Sequence, residues 1–240
     1  LPLGTGIVGA VTLVLVALVA WPPSTPPVIG PDGRQVVGSI NELATVRIGG
    51  TDQTVMIRAA DPDRPVILYL AGGPGQSDLA LARASVAGWE QDFVFAALDQ
   101  RGNGKSYAAI DPVGDMTLDR AVADVIEATD YLRQRFGEEK IYLMGESWGT
   151  ILGTLAVQRR PELYYAWIGS GQMVDVVETD QRVYADLVAY AGTSGDYKLF
   201  ADLAVVGQPP YRDIPWANSN LLAWYEYLYS PYTPSAGYLA

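Results

Sequence analysis

The chain has 240 residues, 49% of them hydrophobic and 18% charged, so a sizeable core in one or two domains is available. Its net charge of −11 argues against a nucleic-acid partner, which is bound through clustered Lys and Arg. There is no cysteine, which excludes disulfides, thiol catalysis and Cys-based metal sites, and there is no histidine. No metal and no cofactor is expected.

Residues 1–21 carry no charge, and residues 7–20 are almost continuously aliphatic. As a helix such a stretch reaches roughly 31 Å, about the thickness of a bilayer's hydrocarbon core. It is expected to be a membrane anchor that holds the folded part outside the cytoplasm. A cleaved signal segment, leaving a secreted protein, is the alternative. Against it stand the missing basic region and the poor cleavage site at Leu18-Val19-Ala20. Gly4-Thr5-Gly6-Ile7-Val8-Gly9 spells a dinucleotide fingerprint, but no strand precedes it, so it is rejected. Residues 22–40 are expected to be a linker, stiffened by Pro22, Pro23, Pro26 and Pro27.

Residues 41–172 alternate strand and helix. Residues 43–48 and 53–59 alternate apolar and polar side chains around Gly49-Gly50, the pattern of a hairpin. Residues 65–70, 93–98 and 141–144 are continuous apolar runs, the mark of strands buried on both faces of a parallel sheet. A helix is expected from the N-cap Thr117 to Phe136, with Gly137 as its stop. A second should run from Ser147 to about Arg159, and residues 164–168 form a further strand. The order implies a mostly parallel sheet with helices on both faces.

Gly145-Glu146-Ser147-Trp148-Gly149 fits G-x-S-x-G, and its context is that of a nucleophile turn: a buried strand before it, a helix directly after it. Such a turn strains the serine's backbone and lifts its Oγ clear of the sheet edge. Neighbouring segments pass so close that glycine is needed two residues to either side. Ser147 is therefore the candidate nucleophile. The backbone N–H of Trp148 is one expected donor to an oxyanion. The other should come from the loop after the third strand, Ala71-Gly72-Gly73-Pro74-Gly75, whose glycines let backbone approach a substrate oxygen.

Three blocks, Gly72-Gly73-Pro74-Gly75, Asp99-Gln100-Arg101-Gly102-Asn103-Gly104-Lys105-Ser106 and residues 145–150, resemble those of prolyl aminopeptidase-type α/β-hydrolases, a serine peptidase family. The resemblance implies the α/β-hydrolase fold, Ser147 as nucleophile, and Gly73 beside Trp148 as the oxyanion donors. It implies an aminopeptidase that cleaves N-terminal residues from small peptides through an acyl-enzyme. An esterase on the same scaffold and a non-catalytic binding protein are the alternatives. The family usually has histidine where this chain has Ala71, a departure that bears on the loop's hydrogen bonding. Gly104-Lys105-Ser106 ends like a phosphate-binding loop but lacks the leading glycine; a structured turn, with Asp99 and Arg101 in local hydrogen bonds, is expected instead.

Residues 173–240 break the rhythm and are expected to begin a helical lid, with helices over 178–191 and 197–206. Eight of the chain's aromatics fall between Tyr211 and Tyr238. Glu178, Asp180, Asp186, Asp196, Asp202, Asp213 and Glu226 are the lid carboxylates available to hold a substrate ammonium. In α/β-hydrolases the nucleophile is followed by an acid and then a histidine. Without a histidine, the chain is expected to stop before the last strands and to be inactive by itself.

Overall fold

The computed structural model describes residues 24–85 and 88–211. The expected anchor over residues 1–21, most of the aromatic stretch before Tyr238, and Asp213 and Glu226 lie outside the described residues. Among the described residues no helix is long and apolar enough to cross a membrane.

The described residues fall into two compact units, divided between Gln172 and Met173. In the first, six strands make one sheet in the order β1-β2-β4-β3-β5-β6. These are β1 (Ile40–Ile48), β2 (Thr51–Ala59), β3 (Val66–Leu70), β4 (Val94–Asp99), β5 (Ile141–Glu146) and β6 (Tyr164–Ser170). β1 and β2 form the hairpin, closed where Ile48 pairs with Thr51 across Gly49 and Gly50, whose φ values of 58° and 74° suit a two-residue turn. β2 also pairs antiparallel with β4, while the β4–β3, β3–β5 and β5–β6 pairings are parallel. The parallel strands all deliver their carboxyl ends to one edge, where ligands of open α/β sheets bind. This is the α/β-hydrolase fold.

Helices lie on both faces. α1 (Leu79–Ser85) and α2 (Trp89–Asp92) cover one, over β2 and β4. The other face carries α3 (Leu118–Phe136) and α4 (Trp148–Arg159), and between these helices and the sheet sits the main core, including Leu68, Leu70, Val125, Leu132, Leu143 and Leu152. α3 starts where Thr117 accepts from the Arg120 N–H and stops at the left-handed Gly137. β5, expected to be buried on both faces, is buried on one only. Its Tyr142, Met144 and Glu146 are half-buried because α1 and α2 lie over the other end of the sheet.

The described part of the stretch expected as a linker is mostly exposed but docks at Thr25 and Val28. Val28 is fully buried, and the nearly buried Arg58 donates to Thr25 Oγ1 (2.5 Å) and the Pro26 carbonyl (2.6 Å) while pairing with Glu90. A buried guanidinium demands such partners, and the proline-rich segment supplies two of them.

The second unit contains α5 (Val176–Ser194) and α6 (Tyr197–Val206), joined through Val183, Leu187, Ala191, Leu199 and Leu203. Asp175 caps α5 by accepting from the Glu178 N–H, and Asp196 caps α6 by accepting from the Leu199 N–H.

Candidate active site

β5 ends at Glu146 and α4 begins at Trp148, so Ser147 alone makes the turn between them. Its backbone sits at φ 48°, ψ −116°, and among the described residues it is the one non-glycine with positive φ. A side-chain-bearing residue held there costs on the order of 1–3 kcal/mol, which the surroundings must over-determine. The Ser147 N–H donates to the Ser170 carbonyl at 2.9 Å, tying the turn to the end of β6. Its carbonyl accepts from both the N–H (2.8 Å) and the hydroxyl (2.6 Å) of Thr150. Close approach explains the flanking glycines. A Cβ on Gly149 would collide with the Leu70 carbonyl oxygen, and one on Gly145 would lie 2.5 Å from the Gly149 carbonyl oxygen. Gly153, one turn further along α4, leaves room for the Trp167 ring.

β3 is the parallel neighbour of β5, with Leu70 opposite Gly145, so the loop over residues 71–75 leaves the sheet at the edge where Ser147 stands. A Cβ built on Gly72 would lie 3.3 Å from that of Ser147. Gly73 has φ 123°, a conformation side chains rarely adopt. Trp148 opens α4, and a first-turn N–H has no partner within its own helix. The loop's hydrogen bonding, which Ala71 cannot supply from a side chain, comes from elsewhere. The Gly72 N–H bonds to the Glu146 carboxylate, and the Gln100 amide donates to the Ala71 carbonyl at 3.0 Å. The same amide accepts from the Trp148 indole N–H at 3.1 Å.

Strand alternation puts Tyr69, Asp99 and Glu146 on the α1 face of the sheet, close to its carboxyl edge, and Asp78 sits just before α1. Burial, then the nearby Asp78, raises the Glu146 carboxyl above the ordinary range, against the pull of the Gly72 N–H. Burial also raises Asp99, against N–H and hydroxyl donors from Lys105 and Ser77. Tyr69 is pushed up to about 12 by burial, Glu146 and Asp78. Acidic side chains are thus gathered beside the elbow.

The turn after β4 has no nucleotide-loop geometry. Lys105 lies in a 3₁₀ turn, and its N–H donates to Asp99 at 2.7 Å, where a phosphate would have to sit. Asp99 thus bonds locally, as expected, but Arg101 reaches much further. It makes a two-point pair with Asp124 of α3 (2.8 and 3.1 Å) and donates to the Ala109 and Gly49 carbonyls. Asp124 also accepts from Gln53 and Arg120, at 2.8 Å each. A cavity of about 500 Å³ lies between this turn and the 71–75 loop, walled by Pro74, Gly75, Gln100, Met116, Trp148 and Leu152 among others. That volume suits a small-molecule site, although Ser147 is not among its lining residues.

Of the carboxylates expected to serve a lid, three are engaged within the second unit: Glu178 with Arg182, Asp202 with Lys198, and Asp196 as a cap. Two residues at the candidate site had no sequence signal of their own. Glu146 occupies the variable position of G-x-S-x-G, and Gln100 lies inside a block that carries the family resemblance but in which the sequence suggests roles only for Asp99 and Arg101.

The family model for serine aminopeptidase, S33, matches residues 80–203. The chain belongs to the S33 serine aminopeptidase family. It is also similar to the probable aminopeptidase YbaC of Bacillus subtilis (strain 168), 32% identical over 174 residues that cover 72% of this chain and 55% of YbaC. Among solved structures it resembles the proline iminopeptidase-related protein TTHA1809 of Thermus thermophilus, with TM-score 0.52, 22% identity and 74% and 58% of the two chains covered. The proline iminopeptidase of Mycobacterium smegmatis gives TM-score 0.51 at 21% identity, covering 78% and 68%. At such identities the structural likeness establishes the fold. The chain spans little more than half the length of YbaC and of the Thermus protein.

Proposed function

We propose that the whole protein carrying this chain is a serine aminopeptidase that releases N-terminal residues from short peptides through an acyl-enzyme on Ser147. The observation that carries the reading is the Ser147 backbone: a strained turn between β5 and α4, beside a glycine loop from the adjacent strand. Strain of this kind aims a nucleophile, and a loop and helix terminus beside it can stabilise the tetrahedral oxyanion. In this reading Gly73 and Trp148 supply that stabilisation from their backbone N–H groups. The acidic groups beside the elbow suit a substrate bearing an ammonium group. A serine hydroxyl needs a base to take its proton, and these 240 residues contain no histidine. In this reading an imidazole outside them serves as the base, and residues 1–240 expressed alone should turn over substrate about 10⁴–10⁶-fold more slowly than the whole protein.

The test uses aminoacyl p-nitroanilides, their N-acetylated forms and p-nitrophenyl esters on the whole protein and its Ser147→Ala variant. Ser147-dependent release from the free-amine substrates, lost on acetylation, is expected. Turnover of the esters alone would make the enzyme an esterase, and turnover unaffected by Ser147→Ala would remove the hydrolase reading.

A further inference from the structure

The segments that carry the two proposed oxyanion donors leave different strands, β3 and β5, and a single side chain joins them. Gln100 directly follows β4 and is almost fully buried. Its Nε2 donates to the Ala71 carbonyl, one residue before Gly72 and two before Gly73, and its Oε1 accepts from the indole Nε1–H of Trp148. A carbonyl only accepts and an indole N–H only donates, so one orientation of the amide satisfies both bonds and the flipped one satisfies neither. No other side chain that stays neutral at pH 7 offers a donor and an acceptor side by side at this reach. Asparagine is one methylene short, and glutamate would set an acceptor against the Ala71 carbonyl.

We propose that Gln100 is a positioning residue that fixes the separation and direction of the oxyanion donors at Gly73 and Trp148; this rests on the serine-hydrolase reading given above. The physical need is specific. A glycine-rich loop is soft, whereas donors must already stand about 2.7–3.1 Å from the future oxyanion to act at full strength. The Gly72 N–H bond to Glu146 holds the loop to β5, but it does not reach Trp148. The Gln100 amide holds the loop and Trp148 in one frame.

The test compares Gln100→Met, which fills the space without either bond, Trp148→Phe, which removes the indole N–H and keeps a ring, and the double variant, all in the whole protein. Misplaced donors are felt in the transition state, so Gln100→Met should lower kcat about 10–100-fold with KM within about threefold. Trp148→Phe should lose less, about 3–10-fold, and almost nothing further in the Gln100→Met background, because both act through one bridge. Affinity for a boronic-acid analogue of the substrate should fall in step with kcat, while inhibition by the released amino acid stays unchanged. Amide hydrogen exchange over residues 71–75 should accelerate in Gln100→Met, with β3 and β5 unaffected. A kcat within twofold of wild type together with unchanged exchange overturns the proposal. Parallel weakening of both kinds of inhibitor overturns it too, since that is the mark of general loosening. Should the wild type show no Ser147-dependent turnover, the hydrolase reading fails, and the exchange measurement alone decides whether Gln100 holds the loop.

Discussion

The turns that follow β4 and β5 leave the same sheet edge but are held by different forces. The turn after β5 is fixed by its own sequence and by backbone contact. Ser147 takes a strained conformation, Thr150 three residues on bonds back to it, and Gly145 and Gly149 admit chain where a Cβ would collide. The turn after β4 is held by side chains that reach across the molecule: Arg101 to Asp124 and Gly49, Gln100 to Ala71 and Trp148. A turn of the first kind is written in adjacent residues, and one of the second kind only in the fold.

The comparison breaks most visibly at Asp124. Replacing it with Asn leaves Arg101 as a buried guanidinium without its counter-charge, and removing one partner of such a pair costs about 3–5 kcal/mol. Urea unfolding of Asp124→Asn should show a loss of that size, while the equivalent change at the exposed pair partner Asp52 costs under about 1 kcal/mol. Equal small losses at both would mean that the β4 turn does not depend on its buried network. Gly149→Ala sharpens the other side. Its Cβ meets the Leu70 carbonyl, a backbone atom that cannot rotate away, so a loss of about 1–3 kcal/mol is expected with displacement of the 71–75 loop. A crystal structure of the variant with that loop unmoved would count against close packing as what fixes the elbow.

The smallest effect concerns Glu146. Its carboxyl is raised in the folded protein, chiefly by burial and then by Asp78. A raised acid binds its proton more tightly folded than unfolded, so its contribution is favourable below the ordinary carboxylate range and is lost as pH rises through the folded value. Glu146→Gln keeps an acceptor for the Gly72 N–H but does not ionise. Its Tm relative to wild type should therefore rise between pH 4 and pH 8. A Tm difference that stays constant across this range would show that the ionised carboxylate is not penalised.

These contrasts explain what could be read in advance. The hairpin, the parallel strands, and the bounds of α3 and α6 were legible because periodicity, Thr117 and Gly137 are local signals. The same holds for the placement of Ser147 between β5 and α4. The half-exposed face of β5 was not legible, because strand composition does not say how far α1 and α2 extend over the sheet. Nor was the docking of Thr25 and Pro26 on Arg58, or the bridge from Gln100, whose partners lie 29 and 48 residues away. Long-range hydrogen bonds leave no periodic trace.

A covalent adduct reports on Ser147 as the proposed nucleophile without assuming a substrate. The whole protein is treated with a fluorophosphonate, digested, and mapped by mass spectrometry beside Ser147→Ala. The account predicts a single modified peptide bearing the phosphonyl group on Ser147, absent from the variant. Stoichiometric modification at another residue, or labelling that persists in Ser147→Ala, would contradict it.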